Sequence, residues 1–221
     1  MGKNKHARFI ENTTFDCLYQ PDFADIFRKD WLLKGRWNQV FFKREAPITL
    51  ELGCGKGEYT LALARKYPDL HFIGIDIKGA RLWRGAKTAT EEGLKNVAFI
   101  RTRIEFIESF FAANEVDEIW ITFPDPQLSR ERKRLTHPMF LERYRTFLRP
   151  NATIHLKTDS PELHNYTCEQ ANAFCYPILH ACPDIYGAGL HKQIDILNVQ
   201  TFYEKQFLAQ GKPITYMCFC T

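Results

Sequence analysis

Nothing in the chain approaches the ~20 consecutive apolar residues that a bilayer-spanning helix needs, although 45% of its residues are hydrophobic. The charged start from Met1 to Arg8 leads into no signal-type apolar stretch either. The expectation is a soluble, cytoplasmic protein with no membrane partner. C-x-x-C pairs are also missing, and the seven cysteines make an odd count, which speaks against a disulfide framework or a zinc ribbon. Cys168, Cys175 and Cys182 lie near His164 and His180, but one helix face gives the same seven-residue spacing, so the thiols are read as reduced core residues and no metal is expected. Repeats and low-complexity tracts are absent. A Walker A loop is absent as well. Lys56 lies among glycines, yet the four-residue spacer and the Gly-Lys-Ser/Thr ending needed for nucleotide hydrolysis are not there.

What is present fits one α/β domain. At 221 residues the chain can bury a core on both faces of a sheet. From position 48 onward, apolar β-rich runs alternate with helix-length segments, the signature of βαβ units and a parallel sheet. Strands are expected over Ile48–Leu52, His71–Asp76, Val97–Arg101, Glu118–Phe123, Thr153–Lys157, Ile178–Ala181 and Ile214–Cys220. Helices are expected over Glu58–Lys66, Gly79–Glu92, Ile104–Ala112, Pro138–Phe147, Pro161–Phe174 and Gln200–Ala209. The pattern predicts a doubly wound, mostly parallel seven-stranded Rossmann-like sheet with helices on both faces, its last strand inserted antiparallel. Residues 1–47 carry Trp31, Trp37, Phe41 and Phe42 among charges with no strand pattern, and are read as an extension packed on the domain of residues 48–221, or as a lid over its ligand side. The loop from Pro183 to Asn198 is the segment expected to be most mobile.

The strongest local signal is Thr49-Leu50-Glu51-Leu52-Gly53-Cys54-Gly55-Lys56-Gly57, a strand entering a glycine-rich turn that opens a helix. Gly53, Gly55 and Gly57 let the backbone turn sharply and a ligand approach without a Cβ in the way. Glu51 at the strand end repels a pyrophosphate and welcomes a cation, and S-adenosylmethionine carries both a sulfonium and an ammonium. Asp76 ends the next strand, about 20 residues beyond the loop, where a carboxylate accepts the hydrogen bonds of a ribose diol. Nicotinamide dinucleotides use that same geometry, so Asp76 alone does not choose the cofactor. A further carboxylate, Asp125, follows Ile119-Trp120-Ile121-Thr122-Phe123 between Pro124 and Pro126, at the carboxyl end of a central strand. The prolines stiffen its turn. The net charge is only +4, yet Arg130, Arg132, Lys133 and Arg134 fall within five positions and a second group surrounds Lys34, Arg36, Lys43 and Arg44. Such bunching suits a phosphate backbone, and equally a solvated surface.

Taken in order, Lys34-Gly35-Arg36-Trp37-Asn38, Glu51 to Gly57, Asp76, Phe123 to Pro126, Arg132 to Thr136, Lys157-Thr158-Asp159 and Thr201-Phe202-Tyr203-Glu204 closely resemble the bacterial tRNA (guanine-N7)-methyltransferase family over nearly the whole chain. The resemblance implies an enzyme that methylates N7 of a guanine in tRNA, at guanosine 46 of the variable loop, with S-adenosylmethionine as donor. It implies that Glu51, Asp76 and Asp125 line the cofactor site, that Asp125 also stands at the methyl-transfer centre, and that Asp159, Thr201 and Glu204 contact the target nucleotide. Arg130, Arg132, Lys133 and Arg134 are expected to grip the tRNA backbone. Two departures stand out: the family's usual lysine after Pro-Asp-Pro is replaced at Ser129, leaving its contact to Arg130 or Arg132, and Arg103 stands where the family has an acid or amide near the adenine. On the residues alone, Thr201 and Glu204 read as a helix N-cap with its acid three positions on. Three alternatives stay open: a methyltransferase for another RNA position or a small molecule, an RNA-binding relative without turnover, and a nicotinamide-dependent oxidoreductase, the last opposed by Glu51. Oligomeric state is not legible.

Overall fold

The structure, a computed structural model, describes residues 3–221; Met1 and Gly2 of the charged start lie outside it. Helix α1 (Lys3–Glu11) leads to a two-residue strand β1 (Leu18–Tyr19) and a single helical turn α2 (Phe23–Ile26). The alternating part follows as β2 (Ile48–Leu52), α3 (Glu58–Lys66), β3 (His71–Asp76), α4 (Gly79–Glu91), β4 (Val97–Arg101) and β5 (Val116–Thr122). Then come α5 (Pro138–Arg145), β6 (Leu148–Thr158), α6 (Pro161–Ala173), β7 (Ile178–Cys182), α7 (Leu190–Gln193), α8 (Phe202–Ala209) and β8 (Thr215–Cys220).

All strands join one sheet in the order β1-β4-β3-β2-β5-β6-β8-β7. Pairing is parallel from β1 through β6, whereas β8 runs antiparallel between β6 and β7. The strand order reverses between β2 and β5, and in open α/β sheets that switch point opens the ligand crevice at the strands' carboxyl ends. The glycine-rich turn after β2 and the Pro-Asp-Pro segment after β5 therefore face each other across it.

Local sequence explains the elements. All five residues of β2 are buried, as a strand covered on both faces requires. Helix α3 carries Glu58 in its first turn and Arg65 and Lys66 in its last, matching the helix dipole. Pro161 sits at the start of α6, where its missing N–H costs nothing, and the Ser160 hydroxyl accepts the Leu163 N–H at 3.2 Å. Alternation along each strand sorts the core into two layers. Leu50, Ile73, Ile121 and Leu156 pack on one face with Trp37, Tyr144 and Leu163, while Phe72, Phe99, Trp120 and Tyr216 pack on the other with Tyr59, Leu82 and Leu197.

Among the described residues eight strands are present where the sequence pattern indicates seven. The added strand is Leu18–Tyr19, paired parallel to Phe99 and Ile100 of β4. Two residues are too few to show a period of two, so the strand exists only through its partner. Several side chains of the segment before β2, Ile26, Trp31, Leu33, Trp37 and Phe42, also join the core. Trp37 is fully buried, its Nε1–H donates to the Phe110 carbonyl at 2.9 Å, and its ring packs against Trp31 and Phe111. The segment expected as an α-helix over Ile104–Ala112 is a short 3-10 helix, Ile104–Ser109.

Candidate functional site

Two adjoining cavities open at the carboxyl edge of the sheet, with Gly53 in the wall of both. The first, about 530 Å³ with the solvent at its mouth included, lies between Glu51, Gly53, Gly55, Thr122 and Thr201. The second, about 770 Å³, lies between Asp76, Ile77, Thr102, Arg103, Ile104 and Phe140.

The three glycines of the turn hold φ of +75°, +59° and +71°, a left-handed backbone that side chains disfavour. Gly53 and Gly55 face open space, so a ligand can lie against bare backbone there. Gly57 has a different reason. A Cβ at that position would fall 2.6 Å from the Phe99 ring, so its missing side chain lets α3 pack on the sheet.

Glu51 is nearly inaccessible and fully braced. The Thr60 N–H donates to Oε2 at 2.8 Å, the Thr60 hydroxyl donates to the same oxygen, and the Thr122 hydroxyl donates to Oε1 at 2.6 Å. Burial is the main cause that pushes its carboxyl up to about 7, with the Asp76 charge adding to it and the threonine bonds opposing. Asp76 accepts the Gly55 N–H at 2.9 Å on one oxygen and the Lys78 N–H at 2.7 Å on the other, which ties the glycine turn to β3. A carboxylate has about four acceptor positions, so each oxygen keeps one for a ligand hydroxyl.

Asp125 is exposed and lines neither cavity; its Oδ1 accepts the Gln127 N–H at 3.0 Å. Its position is nonetheless central. Phe123 lines the first cavity, Gln127 lines the second, and Asp125 stands on the bridge between them. Both ends of that bridge are left-handed, φ +48° at Phe123 and +49° at Gln127, a cost of roughly 1 to 3 kcal/mol at each residue that tends to be found at functional sites.

Other expectations require correction. Arg134, grouped with the RNA-gripping cations, is buried: its Nε–H donates to the Pro126 carbonyl at 3.1 Å, its Nη2 meets Glu162 at 2.6 Å, and its guanidinium lies 4.5 Å from the Tyr166 ring. It clamps the Pro-Asp-Pro segment to α6, which leaves Arg130, Arg132 and Lys133 as the exposed charges of the run. Glu204, expected against the target nucleotide, has no accessible surface; it pairs with Lys157 and accepts the Tyr186 hydroxyl at 2.7 Å. As arranged here it reaches no solute. Thr201 both lines the first cavity and caps α8, accepting the Glu204 N–H at 3.3 Å. Asp159 lies outside both cavities, 3.3 Å from Lys212. Arg103 does line the second cavity, beside its partner Glu105 at 3.2 Å. The cysteines are all free, and the Cys168 sulfur lies 3.8 Å from His164 Nε2 on the same helix.

Sequence reading missed Thr60, Thr122 and Lys157 as parts of this architecture, together with Lys56, Arg81 and Glu58 as cavity walls. Thr122 left a faint trace as the hydroxyl ending an otherwise apolar strand. Lys157 stood in the Lys157-Thr158-Asp159 motif without a role, since its partner Glu204 lies far along the chain.

The first cavity sets the Glu51 carboxylate behind bare glycine backbone, with Lys56, Glu58 and Arg81 also in its wall, which suits a ligand carrying charges of both signs, and the second offers Asp76 with apolar Ile77, Ile104 and Phe140 for a ribose and a flat base. The fit to S-adenosylmethionine is therefore a chemical one. A family model described as a putative methyltransferase matches residues 45–217. A protein of Christiangramia forsetii named tRNA (guanine-N(7)-)-methyltransferase is 55% identical over 99% of this chain and 98% of its own length. A Bacteroides thetaiotaomicron protein of the same name is 47% identical over 99% of this chain and 86% of its own. Among solved structures, the 16S rRNA methyltransferase KamB superposes with TM-score 0.63 at 14% identity, covering 82% of this chain and 91% of that one. A SAM dependent methyltransferase from Aquifex aeolicus gives 0.56 at 16% identity, with coverages of 96% and 97%. Those two likenesses speak to the fold, which is that of the methyltransferases. By its near full-length identity to such relatives, this chain belongs to the bacterial tRNA (guanine-N(7)-)-methyltransferase family.

Proposed function

We propose that the protein transfers the methyl group of S-adenosylmethionine to N7 of a guanine in tRNA, forming 7-methylguanosine, with guanosine 46 of the variable loop as the position the family resemblance points to. The observation that carries the proposal is the pair of cavities meeting at Gly53, with Glu51 in the wall of one, Asp76 in the wall of the other and Asp125 on the segment between Phe123 and Gln127 that joins them. When bound, S-adenosylmethionine supplies an electrophilic methyl group on a positively charged sulfur.

In this reading Glu51 sets a negative potential behind the glycine turn, and Gly53 and Gly55 let the donor lie against the backbone. Asp76 accepts the ribose hydroxyls, and Ile77, Ile104 and Phe140 flank the adenine. Guanine N7 carries its lone pair on an open base edge and loses no proton on methylation, so no side chain has to serve as a strong base. The protein's work is alignment, an effect that can supply about 7 to 11 kcal/mol. Asp125, held on a strained bridge between the cavities, is the carboxylate that meets the reacting base, accepting from guanine N1–H and N2–H and offsetting the positive charge that builds on the ring. Arg130 and Arg132 hold the RNA backbone and carry no sequence information. Among the described residues no helix is long and apolar enough to cross a membrane, and we place the activity in the bacterial cytoplasm with its tRNA.

The test is direct: incubate the purified protein with unmodified tRNA and methyl-labelled donor, digest to nucleosides and identify the labelled one by mass spectrometry. Labelled 7-methylguanosine is expected. Label in another nucleoside, or none, overturns the proposal.

A further inference from the structure

Threonine inside a helix commonly turns its hydroxyl back onto the carbonyl four residues earlier. Thr90 on α4 and Thr167 on α6 do so, donating to the Ala86 and Leu163 carbonyls at 2.9 and 2.7 Å. Thr60, in the first turn of α3, turns the other way and gives both its hydroxyl and its backbone N–H to one oxygen of Glu51. Thr122, the last residue of β5, gives its hydroxyl to the other oxygen at 2.6 Å, a length characteristic of a hydroxyl on an ionised carboxylate, about 2.5 to 2.7 Å. All three residues are buried. A threonine hydroxyl has one proton to donate, and both are spent here. Thr60 follows the glycine turn and Thr122 precedes the Asp125 bridge, so a single carboxylate ties together the two segments that wall the first cavity.

A buried carboxylate is costly unless donors surround it, and donors favour its charged form over the protonated one. We propose that Thr60 and Thr122 are positioning residues that hold Glu51 as a fixed negative charge behind the glycine turn, and that this clamp selects S-adenosylmethionine over its product S-adenosylhomocysteine, whose sulfur carries no charge. The inference rests on the donor reading above. In the transfer the bond from sulfur to methyl breaks as the bond from methyl to guanine N7 forms, and the positive charge passes from sulfur to the ring. The spent donor then loses an attraction that is strong in a site of low dielectric, which favours its release. The other ionisable groups facing Glu51 are Asp76 from β3, the Cys54 thiol of the turn and the Tyr59 phenol of α3, with Lys56, Glu58, Arg81 and Tyr203 in the cavity wall. Burial holds Cys54 and Tyr59 well above their ordinary values, so both stay uncharged, and no histidine lines the cavity among the described residues. Glu51 itself, pushed up to about 7 by burial against the pull of its threonines, is poised to change charge near neutrality.

The experiment compares the full-length parent with Thr122→Val and Thr60→Val, which keep the shape and remove a hydroxyl, and with Thr122→Ser, which keeps it. Calorimetry gives the affinities for S-adenosylmethionine and S-adenosylhomocysteine from about pH 6 to about 9, and their ratio cancels every contact the two ligands share. In the parent the ratio should rise through about pH 7 and level. In each valine variant the rise should move upward by about one to two pH units, the displacement expected from one lost hydrogen bond to a charged group. The ratio at neutral pH should then fall by about five- to 50-fold and return to within about two-fold of the parent at the alkaline end, with S-adenosylhomocysteine bound as in the parent. Thr122→Ser should restore the parent profile. A parent-like profile in both valine variants overturns the clamp, as does an equal loss of both ligands at every pH, a Thr122→Ser that restores nothing, or a failure of both valine variants to fold, which marks the threonines as structural. A parent protein that binds no S-adenosylmethionine overturns the donor reading and the clamp with it; a parent that binds it, alongside unaltered valine variants, overturns the clamp alone.

Discussion

Lys157 Nζ lies 2.8 Å from a carboxylate oxygen of Glu204, and neither side chain has any exposed surface. The same ammonium donates to the Leu197 carbonyl at 2.8 Å and the Val199 carbonyl at 3.0 Å, so one cation at the end of β6 fastens both α8 and the segment leading into it. Burial lowers the pKa of this lysine, opposed by the Glu204 charge. Removing one partner of such a pair strands the other, at a typical cost of about 3 to 5 kcal/mol. Lys157→Met is therefore expected to lose stability on that scale in urea unfolding, and a second change, Glu204→Leu, to restore part of it. A loss below about 1 kcal/mol in the single variant is the size of an exposed pair and contradicts the buried one.

Glu51 gives a pH dependence of unusual sign. Its carboxyl, pushed up to about 7 first by burial, holds a proton more tightly in the folded protein than in the unfolded chain. Its contribution to stability is present below the ordinary value of 4.5 and is lost as pH rises through about 7, the reverse of an ion-paired carboxylate. A cationic donor favours the ionised form. Affinity for S-adenosylmethionine should rise as pH passes upward through 7 and then level, more steeply than affinity for S-adenosylhomocysteine, which lacks the sulfonium. Calorimetry on both sides of pH 7 checks this, and Glu51→Gln should abolish the step.

Asp125 makes one hydrogen bond, to a backbone N–H on its own loop, and its side chain is exposed. Asp125→Ala should fold with a stability within about 0.5 kcal/mol of the parent. Turnover should nevertheless fall by at least about 100-fold, the scale on which misplacing a reacting group acts. Full single-turnover activity in this variant rules out the assigned role.

Arg130 and Arg132 differ from Arg134 in a way two assays can separate. Neutralising the exposed pair with Arg130→Gln and Arg132→Gln should raise the KM for tRNA. It should also reduce the slope of log affinity against log salt by about 0.7 to 0.9 for every RNA phosphate no longer neutralised. Arg134→Gln should instead cost about 1 to 3 kcal/mol of stability by unpairing the half-buried Pro126 carbonyl and the guanidinium's other partners. An unchanged salt slope in the first variant removes those arginines from the RNA interface.

Gly57 is held by two constraints, a left-handed φ and a Phe99 ring 2.6 Å from the missing Cβ. Gly57→Ala should lose about 1 to 3 kcal/mol through overpacking, besides the backbone strain. Pairing it with Phe99→Leu should recover the packing share while leaving the strain, which thermal unfolding of the two variants resolves.

The alternating elements were legible because hydrophobic periodicity and turn chemistry are properties of short stretches. Glu58–Lys66, His71–Asp76 and Val97–Arg101 coincide with their expected bounds. The last strand, expected over Ile214–Cys220 and antiparallel, does run antiparallel between β6 and β7. Leu18–Tyr19 escaped notice because so short a strand is defined by β4 and not by its own pattern. At the site, the strand-end carboxylates were visible as residue types in the right places, but whether each is free was not. Glu51 turns out to be braced by Thr60 and Thr122, Glu204 by Lys157, and the four-cation run divides because Arg134 turns inward to Pro126.

The sequence by itself determined the element types, the glycine turn and the placement of Glu51, Asp76 and Asp125 at strand ends, since each depends on near neighbours along the chain. Only the tertiary structure decided which charges meet solvent and which are paired inside. Burial and pairing are set by residues tens of positions away: Lys157 and Glu204 stand 2.8 Å apart because β6 and α8 pack together.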